Sequence, residues 1–394
     1  MTIVDKVRQL SAEFAAEEQL AAEERCLTGT TWKYLQETGV LRALQPARWG
    51  GGEARLVEFL DAVFEIARVA PSAGWVAGVV GSHPWQSALF PEETQQELWS
   101  EDASRMLSSS YAPTGKVTPV EGGYRVSGRW SFSSGCDHAH GVILGGVAGT
   151  TDATTATGGA QVPDYGSVIL LREQYDIDDT WHTSGLKGTG SKDIVVEDAF
   201  VPARRFLSHI RYEYVEGVRA PGRESNPGPR YDLPWATLFN LVLVAPVLGM
   251  AQGFLDQWTE TNRTRRGNWG GYYRDDPLTQ RHLAQAYWTL DAAVMKMRRA
   301  AVDITAAGKA GEHVGKDVRA RYRWDITRGC ELVGDAMADL YRNSSGRVAY
   351  LDHPLHRRFQ DITAALGHAF LVPDTVGLAY GARMLGATPP EVQL

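Results

Sequence analysis

A glycine-rich run from Gly185 to Lys192, with the sequence GLKGTGSK, is the segment that looks most like a ligand-binding loop. Such glycine density is typical of loops that hold a phosphate group. A phosphate loop of the Walker type needs Lys before Ser and a helix directly after it, whereas here Ser191 precedes Lys192 and strand-like residues 194–196 follow. The run therefore predicts a tight turn that closely approaches a ligand or another stretch of backbone.

Asp137, His138 and His140 form a second pattern with chemical potential. The two histidines would share one face of a strand and could hold a metal ion. No second cluster of His, Cys and carboxylate offers further ligands at convincing spacing, so we interpret the segment as a polar strand edge and expect no metal. The chain also lacks the Gly-x-Ser-x-Gly of serine hydrolases, and no Gly-x-Gly-x-x-Gly links a strand to a helix.

His83 is the most conspicuous residue of the N-terminal third. It lies between Gly81 and Trp85 on an otherwise apolar predicted helix, where a side chain that titrates near neutral pH stands out. A histidine in such a place is either a functional group or a core residue whose hydrogen bonds are satisfied. The residues alone leave both interpretations open.

Composition limits the class of protein that must position these groups. The 394 residues include 40 Lys and Arg against 47 Asp and Glu, and this net charge of −7 argues against a nucleic-acid partner. Three distant cysteines without a CxxC pair, and no recognisable signal peptide, predict a cytoplasmic protein. The most apolar window, residues 238–255, is interrupted by Asn240, Pro246 and Gln252 and predicts a core helix, not a membrane span.

The spacing of apolar residues divides the chain into three domains. Residues 1–105 are expected to be helical, residues 106–219 to form an antiparallel β domain, and residues 220–394 to form a helical bundle. Pro71 should end one helix and Ser72 should cap the next, and residues 148–160 should form a surface excursion between strands. Long helices are expected at 235–262, 277–308, 314–343 and 354–386.

Three segments of the sequence, taken in order, resemble one known superfamily. They are WSFSSGCD at 130–137, WHTSGLKGTGSKD at 181–193 with its continuation to Pro202, and HPLHRRFQD at 353–361 followed by His368. Over nearly the whole chain they resemble the acyl-CoA dehydrogenase superfamily, and within it the two-component flavin-dependent monooxygenases of the aromatic-hydroxylase type. The resemblance implies an α+β fold of the acyl-CoA dehydrogenase type: an N-terminal helical domain, a middle antiparallel β domain and a C-terminal four-helix bundle.

The C-terminal segment separates the two branches of this superfamily. Acyl-CoA dehydrogenases use a carboxylate in the bundle to remove a proton next to the thioester. Counted from Asp361, that glutamate should fall near position 368 or 369, where this chain has His368 and Ala369, and no Glu occurs between His353 and Pro390. This departure disfavours dehydrogenation and favours the oxygenases.

The resemblance implies the oxygenase component of a two-component system. A separate NAD(P)H-dependent flavin reductase would supply reduced flavin, as FADH2 or FMNH2, which would react with O2 to give a C4a-hydroperoxyflavin that hydroxylates an aromatic substrate of phenolic, polycyclic or indole type. Such an intermediate survives only where water is excluded. The lack of a nucleotide-binding βαβ unit agrees with reduction of the flavin on another protein.

The same resemblance assigns roles to cofactor-binding residues. Ser134 falls beside the flavin N5, Phe132 against the isoalloxazine ring, and Thr189 and Ser191 on the flavin or its phosphate. A serine hydroxyl can donate or accept a hydrogen bond without bringing a charge, and an aromatic ring excludes water.

Two histidines complete the expected catalytic set with Ser134. A positioned neutral imidazole can accept a phenolic proton as the ring attacks oxygen. We assign His83 to the substrate side and His368 to the peroxide side.

Arg263, near Arg265 and Arg266, resembles the superfamily arginine that reaches the cofactor of a neighbouring subunit, with Gln280 beside it. The planar fork of arginine suits a phosphate. A shared cofactor site implies a homo-oligomer, expected to be a tetramer of dihedral symmetry. Three alternatives stay open: an acyl-CoA dehydrogenase or oxidase with a relocated base, an N-oxygenase of an amino group, and a non-catalytic flavin-binding scaffold.

Overall fold

The computed structural model describes residues 1–152, 161–215, 217–267 and 270–389, with helices at both ends of the chain and strands between them. The helices before the sheets are α1 Ile3–Gln9, α2 Ser11–Glu24, α3 Gly29–Thr38, α4 Leu56–Val69, α5 Pro71–Ser87 and α6 Glu92–Trp99. The strands are β1 Leu107–Ser110, β2 Lys116–Val120, β3 Gly123–Ser133, β4 Gly141–Asp152, β5 Gln161–Leu171, β6 Asp176–Asp178, β7 Lys192–Pro202 and β8 Phe206–Ser208. The later helices are α7 His209–Tyr214, α8 Trp235–Thr264, α9 Pro277–Ala310, α10 Lys316–Arg342, α11 Pro354–Leu366 and α12 Asp374–Met384.

The strands form two four-stranded sheets, in the orders β1-β4-β5-β8 and β2-β3-β7-β6. An apolar cluster that includes Val126, Trp130 and Leu144 joins the two sheets, and the Trp130 indole donates to the Gly145 carbonyl at 2.9 Å. The prediction of a wholly antiparallel domain is wrong at one edge, because β1 and β4 pair in parallel. The chain passes through two strands of the other sheet between β1 and β4, and so long a crossover permits parallel pairing.

The surface excursion expected at residues 148–160 begins later than predicted. Strand β4 continues to Asp152, which pairs with Gln161 at the start of β5. Residues 153–160 lie outside the described residues.

Helix α5 carries His83 and is buried along almost its whole length. Its predicted cap at Ser72 is wrong: Ala70 is the N-cap and Pro71 occupies the first helical position, where a missing N–H costs nothing. The Ser72 N–H instead donates to Glu18 at 3.1 Å. A Cβ on Gly78 would lie 2.8 Å from the Val242 carbonyl, so only glycine lets α5 pack this closely on α8.

Helix α8 is the central element of the C-terminal bundle. It is long and apolar enough to cross a membrane, but 94% of its most apolar window is buried inside the protein. Helices α4, α5, α9, α10 and α11 pack around it. The prediction of a core helix here is confirmed.

The single helix expected at 354–386 is wrong. Helices α11 and α12 meet at a break with an 84° change of direction. Gly367 and Pro373 flank this break, and Pro373 cannot continue the hydrogen bonds of the preceding helix. A short 3-10 turn, Ala369–Leu371, fills the break, and His368 caps it.

Candidate active site

Three hydroxyl groups predicted to bind cofactor meet at one end of the β domain. Ser134 follows β3 and Ser191 precedes β7, and these strands pair at Ser133 and Lys192, so both serines lie at the same end. The Ser134 and Ser191 Oγ atoms are 2.7 Å apart, and Thr189 Oγ1 lies 2.7 Å from Ser191 Oγ. All three side chains are buried.

The glycine-rich turn that carries two of these hydroxyls rests on helix α11. A Cβ on Gly185 would lie 2.1 Å from the Gln360 carbonyl, so the close approach predicted for this turn is confirmed and the partner is the α11 backbone. The next residue, Leu186, has a positive φ of 52°, and its N–H donates to Asp361 Oδ1 at 2.7 Å. Asp361 thereby fixes a turn that a leucine does not readily adopt.

Asp361 and Glu18 are two half-buried carboxyls beside the turn. Burial raises the pKa of Asp361 to about 6, against the opposing effects of the Leu186 N–H and the Arg358 charge. Burial and repulsion from Asp361 raise the pKa of Glu18 to about 7. Both line a cavity of about 660 Å³, together with Ser72 and other residues of α2, α11 and the turn. This cavity adjoins the glycine-rich turn but is not lined by Ser134 or by the two predicted catalytic histidines.

His83 offers an unoccupied hydrogen-bond acceptor. Its Nδ1 lies 2.5 Å from the Leu107 carbonyl, which can only accept, so Nδ1 carries the ring hydrogen. Its Nε2 is buried and has no hydrogen-bond partner within the described part of the chain. Burial lowers the pKa of His83 to about 4, so the ring is neutral at pH 7 and Nε2 bears a lone pair.

His368 has the opposite tautomer. The Phe370 N–H donates to its Nδ1 at 3.2 Å, so the hydrogen of the neutral ring lies on Nε2. Burial, aided by the Arg323 charge, lowers the pKa of His368 to about 4. His83 therefore presents an acceptor and His368 presents a donor.

An aromatic wall joins the two histidines to the hydroxyl cluster. The Trp75 indole donates to Ser134 Oγ at 3.1 Å, and its ring faces His368 with centroids 5.8 Å apart. From His368 to His83 the wall continues through neighbouring rings whose centroids are 4.8–6.5 Å apart: Phe370, Trp235 and Phe239. The three predicted catalytic residues thus lie along one wall of mostly buried aromatic rings, an apolar enclosure that excludes water.

A hydrogen-bonded network behind this wall holds it in place. His209 Nε2 lies 2.7 Å from Ser167 Oγ, which also accepts from Gln86 Nε2 at 3.0 Å. The Tyr111 hydroxyl donates to the Gln86 amide oxygen. The His209 ring packs on Trp235 with centroids 4.1 Å apart, and burial lowers its pKa to about 3. This third histidine has a partner for Nε2 and supports the wall.

Sequence reasoning missed the wall residues. Trp235 and Phe239 lie four residues apart on α8, and that spacing marks one face of a helix and could have been found. Tyr111, whose ring contacts Trp235 and Phe239, and Phe370 lie outside the α-helices and strands, where no periodicity could indicate them. Trp75 was visible only as one apolar residue of α5, because its link to Ser134 depends on the tertiary fold.

Phe132 has the features of a residue that contacts a flat cofactor. It has a positive φ of 69°, and 70% of its surface is exposed although it is a large aromatic residue. Its ring meets the Trp181 ring edge-on, with centroids 6.1 Å apart. The strained backbone of Phe132 holds its exposed ring two residues from Ser134. Such a ring can pack against the isoalloxazine system of a flavin.

Arg263 and Gln280 lie together, at the far end of the bundle from this site. Gln280 Nε2 donates to the Arg274 carbonyl at 2.9 Å, and Arg274 donates to the Arg263 carbonyl at 3.3 Å. The exposed Arg263 side chain pairs with Glu260 at 2.7 Å. Arg263 follows Phe239 by 24 residues in the same helix, a distance of about 36 Å at 1.5 Å per residue. These two predicted cofactor residues do not join Ser134 of the same chain.

The Asp137–His140 segment is held by protein partners. Asp137 pairs with Lys192 at 2.7 Å, and His138 Nε2 lies 2.7 Å from the Leu27 carbonyl. Among the residues that the structure describes, no group of three or more His, Cys, Asp or Glu side chains could hold a metal ion.

The fold and the site together define a class. The family described as "Acyl-CoA dehydrogenase, C-terminal domain" matches residues 241–373. The crystal structure of the 3-HSA hydroxylase from Rhodococcus sp. RHA1 superposes with a TM-score of 0.91 at 34% identity, covering 100% of this chain and 99% of that chain. The protein has the acyl-CoA dehydrogenase fold, as predicted.

The relatives identify the branch of that superfamily. HsaA, the oxygenase subunit of a flavin-dependent monooxygenase of Rhodococcus jostii (strain RHA1), is 38% identical over 364 residues, 92% of each chain. The oxygenase component of the FADH2-dependent resorcinol hydroxylase of Rhizobium sp. (strain MTP-10005) is 29% identical over 98% of this chain and 95% of its own. The chain belongs to the oxygenase components of two-component flavin-dependent monooxygenases. It is an enzyme that uses reduced flavin and O2, and the predicted resemblance is confirmed.

Proposed function

We propose that this oxygenase hydroxylates a phenolic aromatic compound with reduced flavin delivered by a separate flavin reductase. The observation that carries this proposal is the buried, unoccupied Nε2 acceptor of His83 in an enclosure walled by aromatic rings. The rings can stack on a flat substrate, and the nitrogen can accept a hydrogen bond from its hydroxyl group. The name of the resorcinol hydroxylase, a relative that acts on a phenol, supports the same class.

In this reaction the side chains of the protein accept a proton, donate a hydrogen bond and exclude water. Reduced flavin, when bound, activates O2 so that one oxygen atom enters the substrate and the other leaves as water. His83 Nε2 accepts the phenolic proton as the ring is oxygenated. His368 contacts Trp75 and therefore lies near Ser134. Its Nε2 donates a hydrogen bond to the reacting oxygen molecule. The apolar wall excludes water that would divert the oxidising equivalent.

Ser134 and Phe132 are the residues of this chain that we place against the flavin ring. Ser134 lies at one end of the hydroxyl cluster, and Phe132 offers its exposed ring. Ser191 is hydrogen-bonded to Ser134, and Thr189 is hydrogen-bonded to Ser191. We therefore assign them to the flavin through Ser134 and not through a direct contact.

We further propose a homotetramer in which Arg263 and Gln280 serve the flavin of a neighbouring copy. The estimated 36 Å that separates Arg263 from the wall along α8 supports this, since no side chain spans such a distance. Helix α9 also exposes Trp288, Met295 and Val302, at 74%, 63% and 52%. Their seven-residue spacing gives one apolar stripe, suited to another copy of the chain.

The three free thiols support a cytoplasmic location.

Single-turnover oxidation tests the activity. The protein is mixed anaerobically with reduced FAD and a phenol, then with oxygenated buffer, and the hydroxylated product and hydrogen peroxide are both measured. Resorcinol and monohydric phenols form the panel, with matched anilines to detect N-oxygenation. We expect at least one phenol to be converted with little peroxide. If every phenol leaves the reoxidation rate and the peroxide yield unchanged, the phenol proposal is refuted.

A further inference from the structure

The Leu186 carbonyl fixes the direction of the hydrogen bonds in the hydroxyl cluster. This oxygen can only accept, and Thr189 Oγ1 lies 2.9 Å from it. Two oxygen atoms at that distance repel one another unless a hydrogen lies between them. The single hydroxyl hydrogen of Thr189 therefore points at Leu186 and is not available to Ser191.

The remaining hydrogens follow from this first one. Each hydroxyl group has one hydrogen. Because the hydrogen of Thr189 is used, Ser191 must bridge the 2.7 Å contact to Thr189 with its own hydrogen. Ser134 must then supply the hydrogen for its 2.7 Å contact with Ser191. All hydrogens in the cluster point from Ser134 towards Leu186.

Trp75 adds a second constraint at the other end of the cluster. An indole N–H can only donate, and that of Trp75 donates to Ser134 Oγ at 3.1 Å. Ser134 therefore gives its only hydrogen to Ser191 and uses one lone pair for Trp75. One lone pair is left, so towards the cofactor Ser134 can accept a hydrogen bond but cannot donate one.

We propose that the chain of Ser134, Ser191 and Thr189 makes the enzyme select reduced flavin over oxidised flavin. In reduced flavin N5 carries a hydrogen and donates, whereas in oxidised flavin N5 has only a lone pair. The lone pair on Ser134 matches the first form and opposes the second. The proposal rests on the placement of Ser134 against the flavin proposed above. Thr189 and Ser191 are positioning residues that act through Ser134, and release of oxidised flavin returns it for reduction elsewhere.

Flavin affinity in both redox states tests this proposal without turnover. The dissociation constants of oxidised FAD and of anaerobically reduced FAD are measured for wild type, Thr189→Val and Ser191→Ala. Either substitution removes the acceptor that fixes the direction, so Ser134 becomes free to donate to oxidised N5. The dissociation constant of oxidised FAD divided by that of reduced FAD is expected to fall about tenfold, which corresponds to the net free energy of one hydrogen bond.

Two further variants serve as controls. His282→Asn changes a residue that pairs with Asp339 in the bundle, outside the site, so the ratio should stay within about twofold of wild type. Thr189→Ser restores the hydroxyl group and should restore the wild-type ratio. The midpoint potential of bound FAD gives an independent readout, because a tenfold loss of preference for the reduced form lowers it by about 30 mV.

Ser134→Ala separates failure of this inference from failure of the proposed site. If Ser134→Ala changes the ratio but Thr189→Val and Ser191→Ala do not, the flavin lies at Ser134 and the directional role of the chain is overturned. If Ser134→Ala leaves the affinity for both redox forms unchanged, the flavin does not lie there, and the placement fails together with the inference.

Discussion

A single backbone contact determines the tautomer of each of the two enclosure histidines, and therefore whether its Nε2 accepts or donates a hydrogen bond. The Leu107 carbonyl accepts a hydrogen bond from Nδ1 of His83, and the Phe370 N–H donates a hydrogen bond to Nδ1 of His368. Burial lowers the pKa of both rings to about 4, so neither is charged at neutral pH. One histidine can receive a proton and the other can donate a hydrogen bond, so exchanging their roles would require different backbone partners.

The tautomers themselves are directly measurable. Nitrogen-15 NMR distinguishes a hydrogen on Nδ1 from one on Nε2, and His83→Asn and His368→Asn assign the two signals. We expect the Nδ1–H form for His83 and the Nε2–H form for His368. Both rings should stay neutral at pH 5.5, where an ordinary histidine is mostly protonated because its pKa is about 6.5. The same tautomer in both rings would contradict the assignment.

Loss of the His83 imidazole should impair turnover more than cofactor binding. His83→Asn removes the acceptor for the phenolic proton, so kcat is expected to fall about 10² to 10⁴-fold, the usual contribution of a positioned acid or base. The affinity for reduced FAD should change little. His282 pairs with Asp339 in the bundle at 2.5 Å, outside the site, so His282→Asn is the matched control. An equal loss of kcat in both variants would show a general effect of histidine removal.

Ser134 is placed in the site by β3 and β7, and His368 by the break between α11 and α12. The glycine-rich turn before β7 and the strand-like residues after it were visible in the sequence, but the roles of the hydroxyl residues were predicted only through the resemblance to the flavin-dependent monooxygenases. The break was not predicted, because the apolar spacing continues through Gly367 and Pro373 and outweighed their local signal. The wall formed by Trp75, Trp235 and Phe370 depends on three distant segments meeting, which no local pattern encodes.

Asp361 couples helix α11 to the glycine-rich turn, and its removal should loosen that turn. Asp361→Ala leaves the Leu186 N–H without its acceptor, and an unpaired buried donor costs about 1–3 kcal/mol. Backbone amides of residues 185–191 should then exchange hydrogen faster in the flavin-free protein. Asp361→Asn keeps an acceptor oxygen and should retain most of the protection. Equal exchange in wild type and Asp361→Ala would show that the turn does not depend on this carboxylate.

Glu18 gives α2 a pH-dependent link to the same region. Its pKa of about 7 lies above the ordinary 4.5, because of burial and the Asp361 charge, so ionisation is opposed in the folded state. Its contribution to stability is therefore complete below pH 4.5 and is lost as the pH rises through 7. Glu18→Gln cannot ionise and still accepts from Ser72. The Tm of Glu18→Gln minus that of wild type should become more positive between pH 4.5 and 8, and a constant difference would contradict the shift.

At the scale of the whole molecule, α8 connects the two distant regions to which we assign substrate binding and cofactor binding. Its first turns supply Trp235 and Phe239 to the enclosure, and its last turn supplies Arg263 to the surface shared with Gln280. With 30 residues it is about 45 Å long, too long for one flavin ring to meet both ends within a single chain. The homotetramer that we propose would resolve this, because another copy would bring its own Arg263 to the site.

Mixed oligomers test this arrangement through two complementary lesions. Arg263→Ala should weaken FAD binding about 10 to 100-fold if the guanidinium holds a phosphate, and Ser134→Ala damages the other half of the same site. When the two variants are co-expressed in equal amounts, random pairing makes half of the pairs mixed, and one of the two sites in each mixed pair is intact. About a quarter of all sites should therefore bind FAD when FAD is limiting. If both residues serve one chain, every site keeps a lesion and no activity returns. Trp288→Lys together with Arg263→Ala should abolish the recovery, because a charge in the exposed stripe of α9 prevents the copies from associating.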